Sequence, residues 1–410
     1  MKFFLLIGLA LGNITYAEIV KDLQKLVDNT PKHGVLTPSP GIYQGPITIE
    51  KPITLDGKGQ VTINGGGKGS VIYLDSDGVT LRNLKITNSG DSHNNLDSGI
   101  MVRGSYNVIK DNIIDECLFG IDLGQAEHNI IRRNHISSKK ANPLGLKGDA
   151  VRLWYSFNNK IEDNTIGHAR DVVVWYSKDN IISGNKITDG RYSLHFMYSQ
   201  GNQVENNHLV GGSIGIFLMY SDGIKLKNNF IVNSQGDTGM GIGLKETSAV
   251  EISGNKVLYC ATGIYNDLSP YQPDTVNIIK NNIMAFNGVG MLFHNGWHGN
   301  KITRNVFKSN LSQVVVEGGN GANNNLWRAN VWDDYEGFDL DENGIGDTPY
   351  KQFAYADRIW MDVPKARFFR VTPLLSSLDF LERLLPFSDP LLILEDKQPI
   401  IDEKATTAPD

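Results

Sequence analysis

The amino-acid sequence predicts an all-β fold: a single-stranded right-handed parallel β-helix (solenoid) with an N-terminal cap and a C-terminal extended and helical tail. A chain of 410 residues is too long for one ordinary globular core, and no Pro/Ser-rich linker divides it. Similar segments recur along the chain, and apolar residues alternate within some of them. An elongated repeat fold accounts for all three observations.

The repeat is marked by an asparagine that is followed, in most copies, by an aliphatic residue two positions later. Segments such as YNVIKDNII, NNKIEDNTI and GNQVENNHL carry it at intervals of about 21 to 30 residues, the length of one β-helix coil. The repeated asparagines are Asn112, Asn134, Asn164, Asn185, Asn207, Asn229, Asn255, Asn282, Asn305 and Asn330. We predict that they lie in turns and stack into a ladder of side-chain hydrogen bonds.

A second phrase follows most of these asparagines, as in FGIDL, YSLHFMYS and IGIFLMYS, and its alternating apolar residues predict a short strand. This period of two excludes helical solenoids. Inward and outward side chains alternate along such a strand, so outward residues of successive coils should stack in columns. Longer intervals predict loops at Ala141–Gly148, Gln235–Met240 and Asn266–Thr275.

The N-terminus has the three zones of a secretory signal peptide: Lys2, an apolar run from Phe3 to Leu11, and Thr15-Tyr16-Ala17. We predict export with cleavage after Ala17; the alternative is an uncleaved anchor, but the run is about half of the ~20 residues that span a bilayer. A short amphipathic helix from Ile19 to Val27 should cover the open end. The predicted divisions are a signal peptide at 1–17, the β-helix at 18–335, a calcium-type loop and end cap at 336–363, and a partner-docking tail at 364–410.

The composition excludes one class of partner and one covalent link. The formal charge of −6 and the scattered Lys and Arg residues argue against nucleic-acid binding, which needs a concentrated basic face. Cys117 and Cys260 occupy equivalent places six coils apart, about 29 Å at ~4.8 Å per coil, which is beyond disulfide reach. We expect both to be buried as small apolar residues.

Two methionines and a histidine form the first candidate metal site. In the phrases YSLHFMYS and IGIFLMYS the outward residues are His195 and Met197, then Phe217 and Met219. Met197 and Met219 should lie one coil apart at ~4.8 Å, with His195 about 6.6 Å along the same strand. Thioether and imidazole ligands favour Cu(I), although methionines that merely pack are the alternative. Second-rank copper donors on later coils are Met240, Met291, His294 and His298.

A polar patch a coil or two earlier supports a different hypothesis. Asp149, Arg152 and Asp171 accompany the outward aromatics Trp154 and Tyr176, as in a groove that binds or cleaves sugars. The alternative is a surface ion pair with scattered aromatic residues. No motif nominates an acid and a base, so no catalytic residue is predicted.

The segment DLDENGIGD resembles a calcium loop, with Gly344 placed for the sharp turn. The twelfth position is Tyr350 instead of a bidentate Glu, and a metal-free Asx-rich turn is the alternative. The candidate calcium ligands are Asp339, Asp341, Asn343, Ile345 and Asp347.

The tail is rich in Leu, Phe and Pro, and a helix is predicted from Leu374 to Leu385, before Pro386. It serves either as a cap on the last coil or as a docking surface for a partner. The candidate docking residues are Phe368, Phe369, Leu381 and Phe387.

Together these segments resemble the NosD family. The similar stretches are YQGPITIEKPITLDGKG, HFMYS, LMYS, GDTGMGIGLKE, WDDYEGFDLDENGIGDTPY and LERLLPFSDP, although Asn343 departs from a more often acidic position. The resemblance implies a non-enzymatic periplasmic protein, peripheral to the membrane, that matures the copper centres of nitrous oxide reductase in denitrification. It also implies work with ABC transporter membrane subunits and labile Cu(I) received from a lipoprotein chaperone.

Two other functions remain compatible with the residues. One is a polysaccharide-binding protein, or a uronate-polymer lyase or epimerase, acting near Asp149, Arg152 and Asp171. The other is a ligand-free structural adaptor in which Met197 and Met219 only pack against a partner. The chain has no G-x-x-x-x-G-K-[ST] loop, so any ATP dependence must come from a partner.

Overall fold

The structure is a computed structural model that describes residues 22–318, 321–355, 361, 363, 372–385 and 389–401. The predicted signal peptide lies outside these residues, as do Phe368, Phe369 and Phe387 of the tail. From residue 35 to residue 332 the strands run parallel, each paired with strands of the neighbouring coils. The right-handed parallel β-helix predicted from the sequence is confirmed.

Each regular coil contributes three short strands, and two of the three resulting columns form a 24-stranded sheet among the described residues. The columns merge in two long strands, β4 (Thr54–Asn64) and β6 (Thr80–Thr87). The first column also contains β1 (Val35–Leu36), β8 (Val108–Lys110), β11 (Ile130–Arg132), β14 (Lys160–Glu162), β17 (Ile181–Ser183), β20 (Gln203–Glu205), β23 (Lys225–Lys227), β26 (Glu251–Ser253), β29 (Asn277–Lys280), β32 (Asn300–Thr303) and β35 (Leu326–Arg328). The second contains β2 (Gly41–Gln44), β9 (Ile113–Cys117), β12 (His135–Ser138), β15 (Thr165–Gly167), β18 (Lys186–Thr188), β21 (His208–Val210), β24 (Phe230–Val232), β27 (Lys256–Leu258), β30 (Ile283–Ala285), β33 (Val306–Lys308) and β36 (Val331–Trp332).

The third column forms a 12-stranded sheet within the described chain, and this sheet carries the candidate site. Its strands are β3 (Ile47–Ile49), β5 (Ile72–Leu74), β7 (Ser98–Val102), β10 (Phe119–Gly124), β13 (Val151–Trp154), β16 (Asp171–Trp175), β19 (Tyr192–Met197), β22 (Ile214–Met219), β25 (Met240–Lys245), β28 (Thr262–Asp267), β31 (Val289–His294) and β34 (Ser312–Glu317). The first predicted loop follows β12 and contains a 3-10 turn at Leu144–Leu146. The other two are shorter than predicted, because Met240 begins β25 and β28 continues to Asp267.

The predicted asparagine ladder runs through the interior. Asn185 Nδ2 donates to Asn207 Oδ1 at 3.0 Å and to the Ile161 carbonyl at 2.8 Å, and Asn207 repeats the pattern with Asn229 and Ile182. The left-handed residue of the turn is the one before each asparagine. Examples with positive φ are Asp111, Arg133, Asp163, Asn206 and Asn228. The ladder therefore gives each buried amide its hydrogen-bond partners and links successive coils through their side chains.

Helix α1 (Leu23–Asn29) covers the N-terminal end, close to the predicted position. Its Leu23 and Val27 are buried in the core, and the Asp22 side chain caps it by accepting from the Lys25 amide. Burial of this apolar face shields the first coil from water and from pairing with another strand edge.

The C-terminal end is closed by an antiparallel pair, β37 (Tyr350–Ala354) with β38 (Leu391–Asp396). Asp396 is fully buried, and its Oδ2 accepts from the Asn330 amide at 3.0 Å and from Asn330 Nδ2 at 2.9 Å. It therefore takes the place of the next ladder asparagine. The tail, which was expected either to cap the last coil or to dock a partner, closes the solenoid through its strand β38.

Helix α2 (Pro373–Leu384) confirms the helix predicted in the tail. Its described apolar side chains are exposed and do not cover the last coil: Leu374, Leu378, Phe380, Leu381 and Leu384. Among the helices of the described chain, none combines the length and the apolar character needed to cross a membrane.

Candidate functional site

The three first-rank copper residues lie on the outer face of the 12-stranded sheet, as predicted. The pairing register places His195 beside Phe217 and Met197 beside Met219. The alternating residues Leu194 and Phe196 point into the core and are fully buried. Strand alternation therefore brings two thioethers and one imidazole together across β19 and β22.

His195 Nε2 lies 3.4 Å from the Met219 sulfur, which is the closest polar contact of this imidazole in the described chain. The ring is held by Tyr192, edge to face at 5.0 Å between centroids, and by Phe217, stacked at 6.1 Å. His195 is consequently only 8% exposed, although the sequence predicted an exposed outward residue. The aromatic neighbours hold the imidazole with its Nε2 against the thioether.

Burial also sets the charge of His195. Loss of water around the ring lowers its pKa to about 4, because desolvation disfavours the imidazolium, while Asp171 opposes this effect. The imidazole is therefore neutral at ordinary pH, the form that coordinates metals. The two cysteines cannot compete for soft metals in the same way, since burial raises the pKa of Cys117 to about 12 and that of Cys260 to about 11.

The predicted polar patch adjoins this cluster instead of forming a separate site. His195, Met197, Asp149, Arg152 and Asp171 line one cavity of about 400 Å³. The sequence hypotheses treated the two groups as alternatives a coil or two apart. The structure joins them because β13, β16 and β19 are consecutive strands of the same sheet.

Ion pairs fill the wall of this cavity. Arg170 Nη2 lies 2.9 Å from Asp149 Oδ1, Arg152 Nη1 lies 2.8 Å from Asp122 Oδ1, and Arg191 pairs with Asp171 through two nitrogens. Sequence reasoning missed Arg170 and Arg191. They stand just before strands β16 and β19, in GHARDVV and DGRYSLH, so their equivalent positions on successive coils were the available signal.

Burial distinguishes Asp149 from the other carboxylates. Desolvation raises its pKa to about 6, against the opposing charge of Arg170. Only Oδ1 of this carboxylate accepts hydrogen bonds, both from Arg170, within the described chain. Asp149 can thus exchange a proton near neutral pH.

An aromatic wall borders the methionines on the other side. Tyr155, Tyr176, Tyr198 and Tyr220 stack on successive coils, with ring centroids 5.0 to 5.1 Å apart. Tyr198 and Tyr220 directly follow Met197 and Met219, so the stack fixes the backbone at both thioethers. The aromatic residues predicted as a sugar platform therefore pack mostly on one another.

The second-rank copper donors do not converge with these residues. The prediction of Met291 as a copper donor was wrong, because this side chain is fully buried, with Ile264 and Val314 as its inward neighbours on the adjacent strands. Met240 packs beside Phe217, since a Cβ atom added at Gly243 would lie 2.8 Å from the Phe217 ring and 3.3 Å from the Met240 sulfur. His294 and His298 lie coils away at and beyond the end of β31, and His294 Nδ1 approaches a Glu317 oxygen at 3.5 Å.

In the candidate calcium loop the side chains serve the turn itself. Asp339 Oδ2 accepts from the Gly344 amide at 2.8 Å, and Asp347 Oδ2 accepts from the Leu340 amide at 2.7 Å. Asp341 bonds to the Asn343 side chain at 2.7 Å. The described part of the chain holds no group of three or more His, Cys, Asp or Glu residues arranged to bind a metal ion. These contacts are those of an Asx-rich turn, with Ile345 paired to Ile400.

Comparisons with known proteins agree with the fold and with the copper hypothesis. The family model described as "Periplasmic copper-binding protein (NosD)" matches residues 134–337, and a model of the right-handed β-helix region matches residues 59–171. The "Probable ABC transporter binding protein NosD" of Pseudomonas aeruginosa is 28% identical over 404 residues, which is 93% of this chain and 90% of the relative.

Two solved structures share the architecture at low sequence identity. The A-module of mannuronan C-5 epimerase AlgE6 from Azotobacter vinelandii has a TM-score of 0.58 at 14% identity, covering 72% of this chain and 91% of that chain. A mannuronic acid-specific polysaccharide family 6 lyase from human gut microbiota has a TM-score of 0.57 at 15% identity, covering 75% and 83%. Identities this low show that the fold is shared, and they carry no information about a shared activity.

The family assignment rests on sequence similarity that includes strands β19 and β22. The matched segment contains His195, Met197 and Met219, and the relative aligns along almost the whole chain. The family is named for periplasmic copper binding, and its members are named as binding proteins. This chain belongs to the NosD family of periplasmic copper-binding proteins.

Proposed function

We propose that this protein binds Cu(I) through His195, Met197 and Met219 and presents it for assembly of the copper centres of nitrous oxide reductase. The observation that carries the proposal is the 3.4 Å approach of His195 Nε2 to the Met219 sulfur, with Met197 in register on the adjacent strand. A neutral imidazole and two thioethers form a soft ligand set, which favours Cu(I) over hard cations.

The chemistry of these ligands suits a protein that must release its cargo. Thioethers carry no charge and bind Cu(I) more weakly than thiolates do, so a partner with stronger soft ligands can remove the ion. The rigid solenoid holds the ligands on its outer face, where a partner can approach. Copper is therefore a labile cargo of this site, received from a lipoprotein chaperone and passed on in the periplasm.

The tail supports a dock onto the membrane subunits of an ABC transporter, in keeping with the name of the Pseudomonas relative. Leu374, Leu378 and Leu381 follow helical spacing on α2 and are 71%, 43% and 50% exposed. Removing the whole tail would also remove Asp396 and open the last coil. The sharper test is Leu378→Asp with Leu381→Asp, which should abolish co-purification with the membrane subunits, whereas Val35→Asp, at an apolar position that is 64% exposed, should not.

Anaerobic Cu(I) titration against a competing chelator tests the copper site. The mature protein should bind one equivalent, and the combined variant His195→Ala, Met197→Leu, Met219→Leu should lose it. The matched control replaces Met101 and His208, an outward methionine on β7 and an exposed histidine on β21. Copper retained by the triple variant, or lost by the control, would overturn the assignment. Normal maturation of the reductase with the triple variant would favour a ligand-free adaptor.

A further inference from the structure

The cavity beside His195 contains more hydrogen-bond donors than its own residues use. Nη1 of Arg170, Nη1 of Arg191, and Nε and Nη2 of Arg152 donate no hydrogen bond within the described chain. The side chains of Arg152, Arg170 and Arg191 are 14%, 25% and 42% exposed, so these donors lie at the protein surface, within reach of water and of a bound ligand. A guanidinium fork with free N–H groups is suited to a planar oxyanion.

A second observation points to the same missing partner. Trp175 lines the cavity, and its indole Nε1 is buried without a hydrogen-bond acceptor in the described chain. Buried indole N–H groups normally have a partner, because an unpaired donor away from water costs free energy. The nitrogen is closed off from solvent, so a ligand oxygen would become its acceptor only after the side chains that cover it move aside.

With both aspartates ionised, the charges around the cavity favour a ligand with one negative charge. Three arginines and two aspartates line the cavity, which leaves one positive charge in excess when all are ionised. Asp122 pairs with both Arg152 and Arg103. Counting Asp122 and Arg103 as well adds one negative and one positive charge, so the excess of one positive charge is unchanged. A dianion such as phosphate would face the carboxylates of Asp149 and Asp171 without full compensation.

The remaining wall requires an apolar body on the ligand. Leu96, Phe119, Val173 and the Trp175 ring line the cavity, whose volume is about 400 Å³. Such a space accepts a molecule of small-metabolite size, with its charged head towards the arginines. Inorganic anions would leave the apolar wall unused.

We propose that this cavity is a binding site for a small organic monocarboxylate, held by Arg152, Arg170 and Arg191 and by the Trp175 indole N–H. The site does not depend on copper, although its ligand would lie next to His195 and Met197. It extends the proposed function by giving the outer face a second, anionic ligand.

Fluorine NMR with 4-fluorobenzoate as the probe, on the metal-free mature protein with a chelator present, tests the proposal. Benzoate and glucuronate are the two competitors, since an aromatic acid and a sugar acid share the carboxylate; benzamide and glucose are their neutral counterparts. We expect 4-fluorobenzoate to bind and one of the two acids to displace it, while neither neutral molecule does. Absence of binding, or equal displacement by benzamide, would overturn the proposal.

The variants separate the cavity from the ion pairs around it. Arg152→Gln should weaken binding of 4-fluorobenzoate about tenfold, the usual effect of losing a charge-assisted hydrogen bond. Arg103→Gln is the matched control, because Arg103 pairs with the same Asp122 at 2.8 Å but does not line the cavity. Trp175→Phe keeps an aromatic side chain, although a smaller one, removes the N–H and should weaken binding severalfold. Equal loss in the Arg152 and Arg103 variants would contradict the site.

Because the assay contains no copper, its outcome is independent of the Cu(I) titration. A protein that binds Cu(I) but not 4-fluorobenzoate would retain the proposed function and lose this inference. The converse result would locate a carboxylate site on a protein whose copper ligands lie elsewhere.

Discussion

The two faces of the 12-stranded sheet differ in how their residues change from coil to coil. On the inner face, Leu194 of β19 and Ile216 of β22 are fully buried aliphatic residues. On the outer face, the paired positions change from Trp175 to Met197 and then to Met219. Inner residues are constrained by the coils above and below, whereas outer residues face the surface, where a partner or ligand could approach. Function can therefore change along the outer face without changing the fold.

The inner ladder gives the largest expected effect. Asn207→Ala removes the side chain that accepts from Asn185 at 3.0 Å and donates to the Ile182 carbonyl at 2.9 Å. It leaves several buried groups unpaired, at roughly 1–3 kcal/mol each, so the free energy of unfolding should fall by about 4 kcal/mol in urea denaturation. The variant that remains folded should still bind Cu(I).

The control for this prediction is Asn142→Ala in the exposed loop before β13, which should change the free energy of unfolding by less than about 0.5 kcal/mol. If the two variants were equally stable, the ladder would not stabilise the interior as described.

The ion pairs on the outer face should make the free energy of unfolding depend on pH. Burial raises the pKa of Asp149 from 3.8 to about 6, so the folded state holds this proton more tightly than the unfolded chain. The protonated carboxyl therefore stabilises the folded state fully below about pH 4, and this stabilisation is lost as the pH rises through about 6. The total loss is about 3 kcal/mol, at 1.36 kcal/mol per pKa unit. Urea denaturation at pH 4, 5, 6 and 7 should show a loss in the natural protein that Asp149→Asn lacks. Identical pH profiles would mean that the carboxyl is not desolvated.

A substitution among the candidate copper ligands should have the smallest effect on the free energy of unfolding. Met219→Leu conserves volume, so the free energy of unfolding should change by less than about 1.5 kcal/mol. Cu(I) affinity should fall about tenfold or more, because one thioether ligand is removed. Chelator competition and urea denaturation on the same sample measure both quantities. A large loss of stability with unchanged affinity would make Met219 a packing residue.

Sequence periodicity predicts the repeated part of this molecule and little of the rest. The asparagines align the coils, so the register that pairs Met197 with Met219 follows from the sequence. The same alternation places Met291 on the inner face, since it follows Gly290 as Ile216 follows Gly215, so the repeat itself argues against Met291 as a surface copper donor.

Contacts outside the repeat could not be predicted. Asp396 meets Asn330 across 66 residues without any periodic signal. The pairs Arg170–Asp149 and Arg191–Asp171 join neighbouring coils through side-chain conformations that spacing does not specify. His195 was expected to be exposed, and only the packing of Tyr192 and Phe217 explains its burial.

X-ray absorption at the copper K-edge, on protein loaded anaerobically with one equivalent of Cu(I), tests whether His195, Met197 and Met219 bind the ion. We expect a cuprous edge with about one nitrogen and two sulfur ligands, and loss of the sulfur signal when Met197 and Met219 are both replaced by leucine. A first shell of nitrogen and oxygen only, or a sulfur signal that survives the double replacement, would contradict it.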